Sequence, residues 1–303
     1  MRTRLVVFAF VAFFLLSQQA AAAIVVGSKI DTEGALLGEM ILVVLQKHGL
    51  AADNKLQLGP TEIVRRALLS GEIDLYPEYT GNGAFFFKRE ADPAWRDPER
   101  GYELVRSLDG TQNDLVWLAP APANNTWAIA LRRDVATGQH IATLEDFARY
   151  VGAGGKIRLA ASAEFANSPG GLLSFEKSYG FKLGRGQMLT LAGGNTAATM
   201  RAAAENISGV NAAMAYGTDG ALAVLGLVAL GDDKGAQMVY RPAPVVRGAT
   251  LRAHPEIETL LDPVFRSLTL EKLQMLNARI AVEGLDAGNV AADYLKNAGF
   301  NAK

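Results

Sequence analysis

Short runs rich in β-branched and apolar residues alternate with stretches whose apolar positions recur at helical spacing. Ile24-Val25-Val26 comes first and is followed by Gly27-Ser28-Lys29. Leu36, Leu37, Met40, Ile41, Val44 and Leu45 then repeat every three or four residues, predicting a helix that Gly49 stops. Thr61 is expected as the N-cap of a second helix carrying Ile63, Val64, Ala67 and Leu68, closed by Gly71. A short strand at 73–75 and a turn follow. Further strands are predicted at 115–118, 126–131, 157–161, 188–191 and 211–216. Helices are predicted at 172–179 and 196–204, and from a Thr143 cap through Tyr150. Residues 238–246 read as extended, and three helices follow Pro255. Such alternation implies βαβ units and mostly parallel sheets, an α/β class.

Two proline-bearing segments interrupt the rhythm, one at 120–125 and one at Pro242-Ala243-Pro244. Extended segments of this kind connect lobes without joining either. The expected organisation is therefore a first lobe from residues 24–124 plus 241–303 and a second from 125–240. Two hinge crossovers would join them, with a cleft between. The 303-residue length suits two such lobes.

The N-terminal 23 residues follow another pattern. Arg2 and Arg4 precede an apolar run from Leu5 to Leu16, and a run of alanines from Ala20 to Ala23 follows. This is the layout of a secretory signal peptide cleaved near Ala23, which predicts a periplasmic protein. The apolar run is shorter than the ~20 residues of a spanning helix, so a membrane anchor fits less well. With no cysteine, no lipid tether is possible and stability must come from core burial. Without Arg2 and Arg4 the formal net charge of −1 becomes −3. Such a mildly acidic surface argues against nucleic-acid or anionic-membrane partners, and the mature chain is expected to be a monomer.

Chemistry for catalysis is sparse. His48, His140 and His254 are far apart and none has a partner at metal-ligand spacing, so no metal is expected. There is no G-x-S-x-G elbow, no P-loop and no G-x-G-x-x-G after a strand. No cofactor or enzyme activity is predicted.

Three segments instead place aromatic and amide side chains at strand ends. They are Asp74-Leu75-Tyr76-Pro77-Glu78-Tyr79-Thr80-Gly81-Asn82-Gly83, Ala123-Asn124-Asn125-Thr126-Trp127, and Ala215-Tyr216-Gly217-Thr218-Asp219-Gly220. In open α/β sheets ligands sit beyond the carboxyl ends of strands, where these residues would meet. Together with Gly27-Ser28-Lys29, the segments resemble the motifs of osmoprotectant-binding proteins of ABC importers. Phe85-Phe86-Phe87, residues 160–165 and residues 281–286 are similar to the low-affinity, stress-associated glycine betaine branch.

The resemblance spans the mature chain and implies a type II periplasmic-binding-protein fold. It also implies a box of aromatic rings around a trimethylammonium group, here Tyr79, Trp127, Tyr216 and Tyr240. Lys29 and Asn82 match positions that meet the ligand's carboxylate. Many relatives clamp that carboxylate with an arginine where this chain has Ser168. A hydroxyl cannot give a bidentate charged grip, so weak betaine binding is expected, or a ligand whose anionic end is absent or differently placed. Tyr76 and Phe85 to Phe87 are expected to pack, and Asp219 to cap a turn.

The choice of rings follows from the ligand. A quaternary ammonium has charge but no N–H, and its charge is spread over methyl groups. Aromatic faces suit it, each contact being worth about 0.5–2 kcal/mol, with indole the best partner. Glycine betaine, choline or a similar small quaternary amine is the expected cargo, delivered to an ABC permease whose ATPase subunit is a separate chain. The alternatives are a binding protein for another zwitterion such as an amino acid, which would need an acidic side chain for its N–H groups, an osmolyte sensor, and a secreted enzyme on the same scaffold.

Overall fold

The computed structural model describes residues 23–191 and 196–300, so the signal-peptide reading of residues 1–22 lies outside the described residues. Ten strands are present among the described residues. The first four are β1 (Ile24–Lys29), β2 (Ala52–Gly59), β3 (Leu75–Tyr79) and β4 (Leu115–Trp117). The next five are β5 (Trp127–Arg132), β6 (Leu159–Ser162), β7 (Met188–Leu191), β8 (Ala212–Tyr216) and β9 (Leu227–Ala229), and the last is β10 (Pro242–Arg247). They form two five-stranded sheets, ordered β2-β1-β3-β10-β4 and β7-β6-β8-β5-β9.

The sheets are mixed rather than mostly parallel. β10 runs antiparallel to β3 and β4, and β5 antiparallel to β8 and β9. The reason is the connectivity: β5 and β10 are the strands that follow the two chain crossovers, so each enters its sheet from the cleft side.

Each sheet is covered on both faces. Leu36, Leu37, Met40 and Ile41 of the helix Thr32–Lys47 pack with the C-terminal helices Glu256–Arg266, Leu270–Ala281 and Ala287–Asn297 on one face of the first sheet. Val64, Leu68 and Val105 from the helices Thr61–Ser70 and Pro98–Asn113 cover the other, with Trp95 and Trp117 fully buried. In the second sheet, Ile129 and Leu131 face a core with Phe147, Phe165 and Phe175. Ala130 between them faces the helix Thr196–Ala204 with Ala160 and Ala213. That is the two-residue period of a strand buried on both sides. Small residues on the second face let the helix approach closely.

Several predicted elements shift. Pro60, not Thr61, is the N-cap of Thr61–Ser70, and Thr61 is its first helical residue. The strand expected at 73–75 is Leu75–Tyr79, so both tyrosines lie in the strand and not in the turn after it. Thr143 does cap its helix, in a capping box with Asp146. Phe85 is 54% exposed and does not pack as expected. Phe87 does pack, and the Arg65 guanidinium lies over the Phe86 ring.

The two crossing segments are laced together. Asn125 N donates to Tyr240 O (2.9 Å), Tyr240 N to Asn124 Oδ1 (2.8 Å), and Thr126 Oγ1 to Met238 O (2.8 Å). The helix Leu270–Ala281, which packs on the first sheet's core, also reaches the loop after β8. Gln274 Nε2 donates to Gly217 O (2.8 Å) and Asn277 Nδ2 to Thr218 O (3.0 Å). Gly220 fits against this helix so closely that a Cβ there would lie 2.1 Å from Ala278 N.

Candidate functional site

The candidate residues gather where the strands end. Lys29 is the last residue of β1, Tyr79 the last of β3 and Tyr216 the last of β8. Trp127 opens β5, which runs antiparallel to β8, and it stands directly opposite Tyr216 in the register. Tyr240 lies two residues before β10, whose Pro242 pairs with Tyr79. Ser168 follows the short helix Ala163–Asn167 beyond the end of β6. The result is one cleft of about 1040 Å³, and Lys29, Tyr79, Asn82, Trp127, Ser168, Tyr216 and Tyr240 all line it. Its volume is just above the ~300–1,000 Å³ range of small-ligand pockets.

The aromatic residues are held from behind. Trp127 meets Phe165 edge to face, with centroids 5.6 Å apart. Tyr216 N donates to Asp219 Oδ2 (2.7 Å), so Asp219 closes the turn after β8. Burial pushes the Asp219 carboxyl up to about 6. The backbone of Tyr240 is fixed by the crossover bonds already described, and its ring lies over Gly81. Burial raises the phenols of both Tyr216 and Tyr240, so they stay neutral.

The polar end of the cleft is organised by Glu78, which is fully buried. Its Oε1 accepts from Lys29 Nζ (2.5 Å), Tyr79 N (2.6 Å) and Asn82 Nδ2 (2.7 Å). Its Oε2 accepts from Tyr76 Oη (2.8 Å), so Tyr76 packs as expected and supports this carboxylate. Lys29 and Asn82, expected to meet a ligand carboxylate, are thus both engaged by the protein's own acid. Lys29 Nζ also stands 4.5 Å from the centroid of the Tyr79 ring. Ser168 Oγ accepts from Gly170 N (3.2 Å).

A second buried acid, Glu33, was not singled out by the sequence. It sits in the first turn of Thr32–Lys47, where an acidic residue reads simply as favourable to the helix dipole. Tyr79 Oη (2.8 Å) and Asn125 Nδ2 (3.1 Å) donate to its Oε1, and Asn277 Nδ2 (2.7 Å) to its Oε2. Desolvation pushes it up to about 7, the hydrogen bonds working in the opposite direction. Among the described residues no group of three or more His, Cys, Asp or Glu side chains could hold a metal ion. No described helix is long and apolar enough to cross a membrane.

Two α/β lobes with an aromatic and polar cleft at their strand ends define a solute-binding protein of the type II periplasmic-binding-protein fold. Residues 22–297 match the family described as the substrate-binding domain of ABC-type glycine betaine transport systems. Over 282 residues the chain is 60% identical to the glycine betaine-binding protein YehZ of Escherichia coli, covering 93% of this chain and 92% of that one. A glycine-betaine-binding protein of Pseudomonas aeruginosa is 32% identical over 277 residues, 89% of this chain and 86% of the relative. The solved structure of apo YehZ superposes with a TM-score of 0.84, covering 92% of this chain and 100% of that one. A solved glycine betaine/carnitine/choline ABC transporter protein, at 21% identity, shares the fold with a TM-score of 0.81 over 92% of this chain and 100% of its own.

The chain belongs to the family of substrate-binding domains of ABC-type glycine betaine transport systems. It is a transport binding protein rather than an enzyme, with a small-molecule ligand and a permease as its partners.

Proposed function

We propose that the protein captures a small quaternary ammonium solute, glycine betaine or a close analogue, between the faces of Tyr79, Trp127, Tyr216 and Tyr240. The observation that carries this reading is that the four rings, drawn from both sheets and one crossover, line a single cleft. A methylated cation needs ring faces and no acceptor for an N–H, and those rings supply them. An amino acid would need an acidic side chain open to its ammonium. Glu33 is already filled by protein donors, which leaves Asp31, Glu90 and Glu164 on the cleft wall as the acids such a ligand would have to reach.

Lys29 and Asn82 are proposed for the carboxylate end, each keeping N–H groups that Glu78 does not take. Ser168 stands on the opposite wall and adds a neutral hydroxyl. The proposed lobes are residues 24–124 with 241–303, and residues 125–240. The distribution of strands between the two sheets supports that division. Ligand contact with both lobes would favour closure by differential affinity, and the closed monomer would then dock on the permease. The proposed location is the periplasm, after signal-peptide cleavage near Ala23.

A thermal-shift screen across betaines, choline, carnitine, ectoine and amino acids tests the reading, because a ligand that binds the native state raises its melting temperature. Shifts confined to the quaternary amines are expected. A shift with amino acids alone would refute it.

A further inference from the structure

Glu33 lines the same cleft as the four rings, and it joins three parts of the molecule. It accepts from Tyr79 Oη of the aromatic box, from Asn125 on a crossover and from Asn277 on Leu270–Ala281. The same Asn277 amide group donates to Thr218 O in the loop between Tyr216 and Gly220. One carboxylate therefore ties a ring of the first lobe to the loop that follows a ring of the second.

This carboxylate has hydrogen bonds but no counter-charge. Among the described residues no cationic side chain pairs with Glu33. The nearby candidate, Lys29, is bound to Glu78 at 2.5 Å. Around Glu33, β3 presents Tyr79, its own N-terminal turn presents Asp31, and the loop after β8 presents the Thr218 side chain as a further hydrogen-bond partner, while Lys29 and Asp219 line the same cleft. The crossover and the helix Leu270–Ala281 offer it only the neutral amides Asn125 and Asn277. A buried carboxylate in such company is held back by desolvation.

Protonation would disturb this arrangement. Asn125 and Asn277 present only N–H groups, so a carboxylic acid O–H would have to be accepted by the hydroxyl oxygen of Tyr79 or Thr218, reversing the present polarity, or by an amide that had turned. One such turn brings Asn277 Oδ1, which lacks a hydrogen-bond partner, toward Glu33. Its N–H groups would then leave Thr218 O. An ionised Glu33, in contrast, draws electron density into the Tyr79 phenol through the hydrogen bond and makes the ring face more negative.

We propose that Glu33 is a positioning residue of the aromatic box, ionised for tight binding, with the bound quaternary ammonium supplying the positive charge that this buried carboxylate lacks. The inference rests on the quaternary-ammonium reading given above. Its consequence is that ligand binding is linked to proton release, and that affinity rises with pH across the neutral range. Burial, which pushes Glu33 up to about 7, puts the change there.

The test is titration of the full-length mature protein with glycine betaine and with choline from pH 5.5 to 8.5. Neither ligand changes charge in that range: the betaine carboxyl ionises near or below pH ~3.5, and choline has no carboxyl and a quaternary ammonium that cannot lose a proton. Wild-type affinity for both is expected to rise by about tenfold, the equivalent of one pKa unit of linkage. Glu33→Gln should give a flat profile. Asn277→Ala, which deletes a donor to the carboxylate, should move the midpoint to higher pH without abolishing binding, and serves equally should Glu33→Gln not fold. Asp219→Asn removes the other raised acid of the cleft, and a rise of affinity with pH should persist in it; loss of that rise would assign the effect to Asp219 and overturn the inference. A flat wild-type profile, a wild-type-like Glu33→Gln profile or an unmoved Asn277→Ala midpoint would overturn the inference alone. Failure of the wild-type protein to bind either probe at any pH would instead overturn the quaternary-ammonium reading, and this inference with it.

Discussion

The ring of Tyr240 lies directly on Gly81, so that a methyl group at position 81 would sit 2.8 Å from its Cδ1 and Cε1 and 2.8 Å from Val239 O. The glycine is required by space alone, because the neighbour on one side is backbone and cannot swing away. Gly81→Ala should displace Tyr240 from the cleft wall, at a stability cost of about 1–3 kcal/mol. Betaine affinity, read by calorimetry, should fall by about tenfold. Unchanged affinity would mean that Tyr240 is only a linker residue.

Trp127→Ala and Tyr216→Ala each remove one ring face. Each should weaken glycine betaine and choline alike, by about 0.5–2 kcal/mol, since the two ligands share the trimethylammonium end. Trp127→Phe should cost less. Trp95 and Trp117 are buried in the first lobe, so Trp127 should carry the ligand-dependent fluorescence change, which Trp127→Phe would abolish.

Ser168→Arg would place a guanidinium on the cleft wall where only a hydroxyl now stands. A bidentate grip on a carboxylate is the expected gain. Glycine betaine affinity should improve by about tenfold while choline, which has no carboxylate, should bind no better. Equal gains for both ligands would show that the arginine acts in some other way.

Stability should depend on pH through Glu33. Its folded-state value is raised from 4.5 to about 7, so its contribution to stability is fully present below pH 4.5 and is lost as pH rises through 7. Asp219 acts in the same direction, from 3.8 to about 6. Relative to Glu33→Gln, which does not titrate, the unliganded wild-type protein should lose about 3 kcal/mol between pH 4.5 and 8. Urea unfolding at several pH values measures this, and a constant difference would contradict it.

Much of the fold was legible in the chain because buried strands and amphipathic helices carry strong patterns. The strand at 188–191, the helix at 196–204 and the capped helix after Thr143 appear where periodicity and capping place them. β2 was missed because it is an edge strand with half its residues exposed or polar, reading as a loop between Gly49 and Pro60. The helix Pro98–Asn113 was missed because it buries only Gly101, Val105 and Asp109, too sparse a stripe to show a period. The seven expected site residues line one cleft: Tyr79, Trp127 and Tyr216 stood out as strand-end aromatics, whereas the places of Lys29, Asn82, Ser168 and Tyr240 came from the family resemblance. Glu33 and Asn277 gave no local signal. They lie 244 positions apart, and only folding brings their side chains to 2.7 Å. Glu78 was inside a recognised motif, but nothing in the motif indicated that it would take Lys29 and Asn82 for itself.

The most direct measurement is calorimetric titration with glycine betaine, dimethylglycine, sarcosine and glycine under one set of conditions. These ligands share a carboxylate and differ only in how many methyl groups cover the ammonium. If ring faces hold a methylated cation, affinity should fall with each methyl removed and vanish for glycine. Binding of glycine or sarcosine as tight as that of glycine betaine would contradict the account.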